Sequence, residues 1–460
     1  MRTKLFFLYL KKFILPVAVC FVLVANVSNA TTLKDAIQLA YKNSEQVYMK
    51  LAQRDISNID FQTAIFNLLP QVEASYTYMK TNHTSFHQGD DLKQMLSMYN
   101  FSSLQNNNTA NPLNGGQVPS GNKKIGSQMA SITATASLSY YKTIPLILAN
   151  KRNVDASAYE YNEFLENFGL LFIQKYMDVI YYSKAKEVYS QMSETLEKKV
   201  KRVNIMNKYG TAKKDKVVIA EAQYYENEAN KINMQSSLDK AKIDYKIMTG
   251  TEPEDLQVPD LANVVLPVKN KDDFVALVLS ANSSLQKTKS QLLAQKMSMF
   301  ANQMNVLPDL FATYSYNWAN TPGWMRYNYD YFGVGASWTI NGRDNRWNGA
   351  RKSYKNYRIA DLNKSLAEKQ IEADAIYSWD QYYAMLELVK ATKKALKASS
   401  DSLKEVKVSV STGTATFIDE MDIENQYLNA NLNYLNAQRA LILAYYKLVS
   451  MTGVGYLPVK

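Results

Sequence analysis

The chain has 460 residues, a formal net charge of +11, two histidines and one cysteine. That length exceeds an ordinary single domain. The scarcity of Cys and His excludes a disulfide framework and a thiolate metal cluster and leaves almost nothing for a histidine-based triad. No phosphate-binding loop occurs either, so the sequence points to no enzyme, no cofactor and no nucleic-acid module.

Residues 1–30 read as a secretory signal peptide. Arg2, Lys4, Lys11 and Lys12 flank an apolar stretch from Phe13 to Ala25, and Ser28 and Ala30 occupy the small-residue positions of a cleavage site. Cys20 is a poor lipidation site, because Val19 precedes it and "FVLV" follows. Cleavage removes Cys20 and four basic residues, leaving a cysteine-free, mildly basic mature chain. Mild basicity suits an anionic membrane surface or anionic partners.

From Leu33 a helical pattern runs to Pro70, which no helix interior accommodates. The period then becomes two, with Val72, Ala74, Tyr76 and Tyr78 alternating with polar neighbours, which predicts a strand over 71–80. A long Asn-rich polar stretch follows. It holds His83 and His87 beside Asp90 and Asp91, and its irregular composition argues for a loop rather than a metal site. Alternation from Ala130 to Leu138 predicts a second strand over 128–140. A helical hairpin over 146–250 comes next, interrupted at Gly169 and turning at Gly210.

The same order then repeats. A Pro-containing linker, 251–271, separates a first unit, 31–250, from a second, 272–460. The second unit has its own Leu-Pro at 307–308, strands predicted over 309–318 and 330–340, and a hairpin over 345–453. Asn-Ser recurs at 43–44 and 282–283. "YKIMTG" (245–250) is matched by "YKLVSMTG" (446–453), and each final Gly follows a hairpin Gly (Gly210, Gly413) by 40 residues. From Ala350 to Thr412 there is neither Gly nor Pro. An unbroken helix of that length spans on the order of 95 Å and is too charged to cross lipid. Such helices must bury an apolar stripe against other helices, as Leu428, Leu432, Leu435 and Leu443 suggest.

Strands of about ten residues with one apolar face fit a membrane barrel. Tyr76, Tyr78, Tyr140, Tyr316, Trp318 and Trp338 supply interface aromatics. Four strands cannot close a barrel, and an open edge in lipid leaves backbone groups unpaired. Several chains must therefore share one barrel. Two chains would give eight strands and three would give twelve. Three is preferred, because the helices would then form a matching tube, while two remains allowed. The rival expectation is a secreted coiled-coil scaffold or adhesin without a pore.

The ordered pattern of Leu-Pro, strand, long helices and Gly hairpins ending in "MTG" resembles the TolC-like outer-membrane efflux protein family over residues 31–457. The resemblance implies a mainly α fold with a β-barrel portion. It implies a homotrimer whose twelve-stranded barrel in outer-membrane lipid continues into a periplasmic α-helical barrel. Such a protein is a passive exit duct of a tripartite efflux pump or type I secretion system, joined to an inner-membrane transporter through a periplasmic adaptor. The resemblance also assigns adaptor contact to the hairpin tips, here Lys208, Tyr209, Gly210, Thr211 and Ala212, and Ser411, Thr412, Gly413, Thr414 and Ala415. It places an inner-mouth constriction near Asp401, Lys404 and Glu405. The first tip is basic (Lys213, Lys214, Lys216) and the second acidic (Asp419, Glu420, Asp422), so alternating tips are expected to pair by charge.

Overall fold

The computed structural model describes residues 32–82, 124–259, 268, 270–321, 325–338 and 346–453. The expected signal peptide, the stretch carrying His83 and His87, and residues 339–345 lie outside the described residues. Each copy has two short helices, two strands and a long helical hairpin. The first copy comprises α1 (Leu33–Asn43), α2 (Glu45–Phe66), β1 (Gln71–Asn82), β2 (Lys124–Ser137), α3 (Tyr140–Lys208) and α4 (Lys214–Thr249). The second comprises α5 (Lys271–Ala281), α6 (Ser283–Met304), β3 (Asp309–Thr321), β4 (Met325–Ser337), α7 (Arg346–Ser411) and α8 (Phe417–Met451).

Several boundaries differ from the sequence expectation. The helix expected to run unbroken to each Leu-Pro is split in two, because Ser44 and Asn282 adopt extended backbone. The break lets each hairpin's last helix end against it. Asn43 Nδ2 donates to Thr249 O at 2.6 Å, and Asn282 Nδ2 donates to Met451 O at 3.2 Å. Gly250 and Gly453 both take left-handed backbone, φ +75° and +69°, and at Gly453 a Cβ would also lie 2.3 Å from Ala281 O, so the second "MTG" needs Gly for conformation and close approach together. The first hairpin starts at Tyr140 rather than 146, and Pro145 sits inside it. So near the helix start, Pro costs one intrahelical bond without stopping the helix. Gly169 does not interrupt α3 but is buried within it. Tyr140 accordingly opens a helix instead of closing a strand, and Trp338 lies just beyond β4.

The four strands form one antiparallel sheet in sequence order, with β2 and β3 joining the copies and β1 and β4 left as edges. One face carries Val72, Tyr76, Ile132, Leu310, Tyr314, Phe332 and Val334. The other carries a hydroxyl ladder, Ser75 to Ser131 at 2.8 Å and Thr133 to Ser315 at 2.9 Å. Such cross-strand pairs contribute roughly 0.2–1 kcal/mol each. Phe311, the exception to the alternation, lies over Gly335, where a Cβ would approach its ring to 2.6 Å. Below the strands, Asp309 accepts from Lys142 at 2.5 Å and Arg346 at 2.8 Å, tying both long hairpins to the start of β3.

Helix packing shows how the duplication diverged. In the first copy Ala36 and Ala40 of α1 share a core with Phe172, Tyr176 and Tyr245. At the equivalent positions of the second copy, Phe274 and Val278 of α5 meet Ala375, Trp379 and Leu448. Bulk has moved from the long helix to the short one while the pair keeps its combined volume, as close packing requires. The swap predicts that Phe172→Ala lowers stability by about 3–5 kcal/mol. Adding Ala36→Phe should recover a substantial part, read as the thermal midpoint of the detergent-solubilised protein. A double variant no more stable than the single one would refute this equivalence.

Candidate functional site

The end of the molecule farthest from the sheet is formed by two hairpin tips of one design. Residues Ile205–Asn207 and Val408–Val410 lead into turns with the same bonds. Thr211 N donates to Met206 O at 2.9 Å and Gly210 N to Asn207 O at 3.0 Å. Thr414 N donates to Ser409 O at 2.9 Å and Gly413 N to Val410 O at 3.3 Å. This is a Schellman turn, in which the residue after the helix takes left-handed backbone. Gly210 and Gly413 have φ +74° and +76°, and a Cβ at either would meet nothing within 4 Å. Conformation, not space, requires Gly there. Tyr209 projects from the first tip, 81% exposed.

The returning helices start differently. Thr416 and Asp419 close a capping box on α8, and Asp419 is held below the usual carboxylate range by its bonds to Thr416 and more weakly by the Lys216 charge. The N-cap of α4 is Lys213, without a side-chain capping bond and with Lys214 and Lys216 in the first turn. Lysines there oppose the helix dipole by some tenths of a kcal/mol each. Lys213, Lys214 and Asp422 are exposed. Asp401 and Lys404 form an exposed pair at 3.4 Å on α7, and Glu405 beside them is exposed. Such a pair adds at most about 1 kcal/mol.

Glu420 does not reach the tip lysines within the chain. It joins a buried cluster that the sequence reading missed. Lys199 Nζ lies 2.6 Å from Glu424 Oε2 and 3.1 Å from Glu420 Oε1, and Lys407 Nζ lies 3.9 Å from Glu424 Oε1. The Glu424 side chain is only 3% exposed. Burial pushes its carboxyl up, while the hydrogen bond and charge of Lys199 pull it down. Farther along the same seam Arg439 pairs with Asp178 and stacks on Tyr181 at 5.5 Å. These contacts fasten α8 of the second copy to α3 of the first. The repeat-equivalent positions carry Ser402 for Lys199, Glu221 for Glu424, Gln381 for Asp178 and Ser236 for Arg439, so the ion pairs have no counterpart in the duplicate. Glu420 and Glu424 at i, i+4 were visible in the sequence, but their partner lies over 200 residues away.

Higher in the molecule, Glu166 accepts from Ser283 Oγ at 2.6 Å at the break between α5 and α6. Burial raises its carboxyl to about 7, against the Ser283 bond; the neighbouring Glu163 raises it further, and Lys447 opposes.

No family model and no curated sequence matches the chain. Solved structures do. The CmeC outer membrane channel of Campylobacter jejuni superposes with a TM-score of 0.78 at 12% identity, covering 93% of this chain and 87% of that one. The chain has the TolC-like outer-membrane channel fold. VceC of Vibrio cholerae, an outer membrane protein, gives 0.72 at 13% identity over 92% and 97%. The open-state MtrE outer membrane channel of Neisseria gonorrhoeae gives 0.73 at 15% identity over 92% and 89%. The TolC-like arrangement of helix, strand pair and long hairpin is thus present in both copies of this chain.

Removing Lys199 leaves two carboxylates buried without their main partner, a loss of about 3–5 kcal/mol. Lys199→Met should therefore lower the thermal midpoint markedly, and Lys199→Met with Glu420→Gln and Glu424→Gln should recover most of it. A midpoint unchanged in the single variant would show that the cluster carries no stability.

Proposed function

We propose that the protein is a passive exit duct in the outer membrane of a Gram-negative bacterium, assembled as a homotrimer. Its twelve-stranded barrel would continue into a periplasmic helical tunnel. The observation that carries this reading is the sheet. It has an apolar face, a hydroxyl-lined opposite face and two unpaired edges, continuous with hairpins of roughly 100 Å. In lipid an open edge is untenable, so β4 of one chain pairs with β1 of the next. Energy comes from an inner-membrane transporter reached through a periplasmic adaptor, which engages the Gly210 and Gly413 tips. A pore-free scaffold has no use for the apolar face.

The duplication specifies the register of the missing pairing. Within the chain Thr135 of β2 faces Thr313 of β3. By repeat equivalence Ser337 of β4 faces Ser75 of the neighbouring chain's β1. The mature chain lacks cysteine, so Ser75→Cys with Ser337→Cys should give a disulfide-closed trimer on oxidation. Tyr76→Cys with Ser337→Cys, which places the thiols on opposite faces, should not. A failure of the first pair to crosslink, with protein recovered as a water-soluble monomer, would sink the reading.

The tips carry a second element of the proposal. Alternating basic (Lys213, Lys214, Lys216) and acidic (Asp419, Asp422) hairpins help hold the inner mouth shut, with Asp401, Lys404 and Glu405 narrowing it. The buried Lys199 cluster fastens the second hairpin to the first within each protomer. Reversing the three tip lysines to Glu should raise single-channel conductance in planar bilayers; unchanged conductance and gating would remove the tip charges from the closing mechanism.

A further inference from the structure

Just below the strand ends, the last turn of α6 and the first turns of α7 border an open pocket of about 720 Å³. Val306, Leu307, Trp347 and Tyr354 supply its apolar walls, and Arg351 and Lys355 line it as well. Along α7 these two cations lie about one and two turns farther from the sheet than Trp347. Trp347 is 64% exposed, a large apolar surface to leave in water. Neither Arg351 nor Lys355 is ion-paired among the described residues. The pocket lies on the apolar side of the sheet. Trp338 continues the alternation of Phe332, Val334 and Ala336, and its Nε1 donates to Val306 O, a pocket wall, at 3.0 Å.

The first copy repeats the arrangement with different residues. Phe66 and Leu69 stand at the positions of Met304 and Leu307, Ile144 and Leu148 at those of Trp347 and Arg351, and Lys151 and Arg152 at those of Tyr354 and Lys355. Arg152 pairs with Asp155 at 3.0 Å, whereas Lys151 has no ion pair among the described residues. Ile144 and Leu148 remain 50% and 44% exposed although the second copy packs along α3. A neighbouring chain seated in the same relation would therefore leave the Trp347 pocket open too. The first copy thus places exposed apolar side chains nearest the sheet, with Lys151 about two turns beyond Ile144.

We infer that this pocket, with its counterpart on α3, seats an anionic phospholipid of the leaflet nearest the helices. Its acyl chains lie against Leu307 and Trp347, and its phosphate lies between Arg351 and Lys355. Interfacial aromatics backed by cations recognise that combination of chain and headgroup. The inference rests on the membrane-barrel assignment above and adds a ligand to it.

Native mass spectrometry of the detergent-solubilised full assembly, titrated with phosphatidylglycerol or phosphatidylcholine, tests it. Wild-type protein should retain phosphatidylglycerol preferentially, and excess inorganic phosphate should not displace it. Arg351→Gln with Lys355→Gln should weaken phosphatidylglycerol retention about thirtyfold and leave phosphatidylcholine unchanged. Trp347→Ala should weaken both lipids. The wild-type comparison needs no variant to fold. Equal retention of the two lipids by wild type, displacement by phosphate, or an unaffected double variant would overturn the pocket. If such a protein still floats with liposomes and conducts, the barrel stands. Wild-type protein that does neither overturns both.

Discussion

The structure turns on a backbone constraint. Each strand must satisfy its N–H and C=O groups, and a sheet of four strands satisfies them only at its three internal seams. One face of the sheet is apolar, and in the proposed membrane barrel no water reaches the remaining two edges to compensate them. In the proposed duct further copies close those edges, and the rest of the assembly follows from that closure. The hairpins descend from the sheet, and their spacing around any closed assembly is inherited from the strands that precede them. Asp309, held between Lys142 and Arg346, is where that inheritance is enforced, because it fixes both long helices to the start of one strand.

The duplication supplies one plan, and divergence has made its two halves unequal. The core exchanged bulk between long and short helices, Phe172 for Ala375 and Ala36 for Phe274, without altering the helix break or the Gly that packs against it. The hairpin seam changed more. Between α3 and α8 it holds buried ion pairs, Lys199 with Glu420 and Glu424 and Asp178 with Arg439. The duplicated positions have only Ser402, Glu221, Gln381 and Ser236. Charges buried in this way are costly to separate singly, so the seam that carries them is the more firmly joined.

The tips show the same inequality at smaller scale. Their Schellman turns are superposable in hydrogen bonding, which keeps the two hairpins equal in shape. Their returning helices are not equal in stability, since α8 has a full capping box and α4 begins on lysines. A basic, weakly capped tip beside an acidic, well-capped one presents two chemically distinct surfaces on a single geometry.

Strand alternation, the Leu-Pro stops and the paired glycines were legible because each follows from a local rule: period two, a missing N–H, a left-handed turn. They determined the duplicated order of elements and the open four-stranded sheet. The helix breaks at Ser44 and Asn282 and the continuation of α3 through Pro145 and Gly169 were not legible. Pro145 is tolerated because it lies so near the helix start. At the breaks, packing of distant segments outweighs local preference, as when the end of α8 presses Gly453 against Ala281. The Lys199 cluster was hidden for the same reason. Glu420 reads locally as one of a run of solvated acids, and only the antiparallel seating of α8 on α3 brings it to a lysine more than 200 residues away. Sequence alone determined which elements exist and in what order, because those are decided within a few residues. Tertiary structure decided where the charges are buried, because that depends on which helices share a seam.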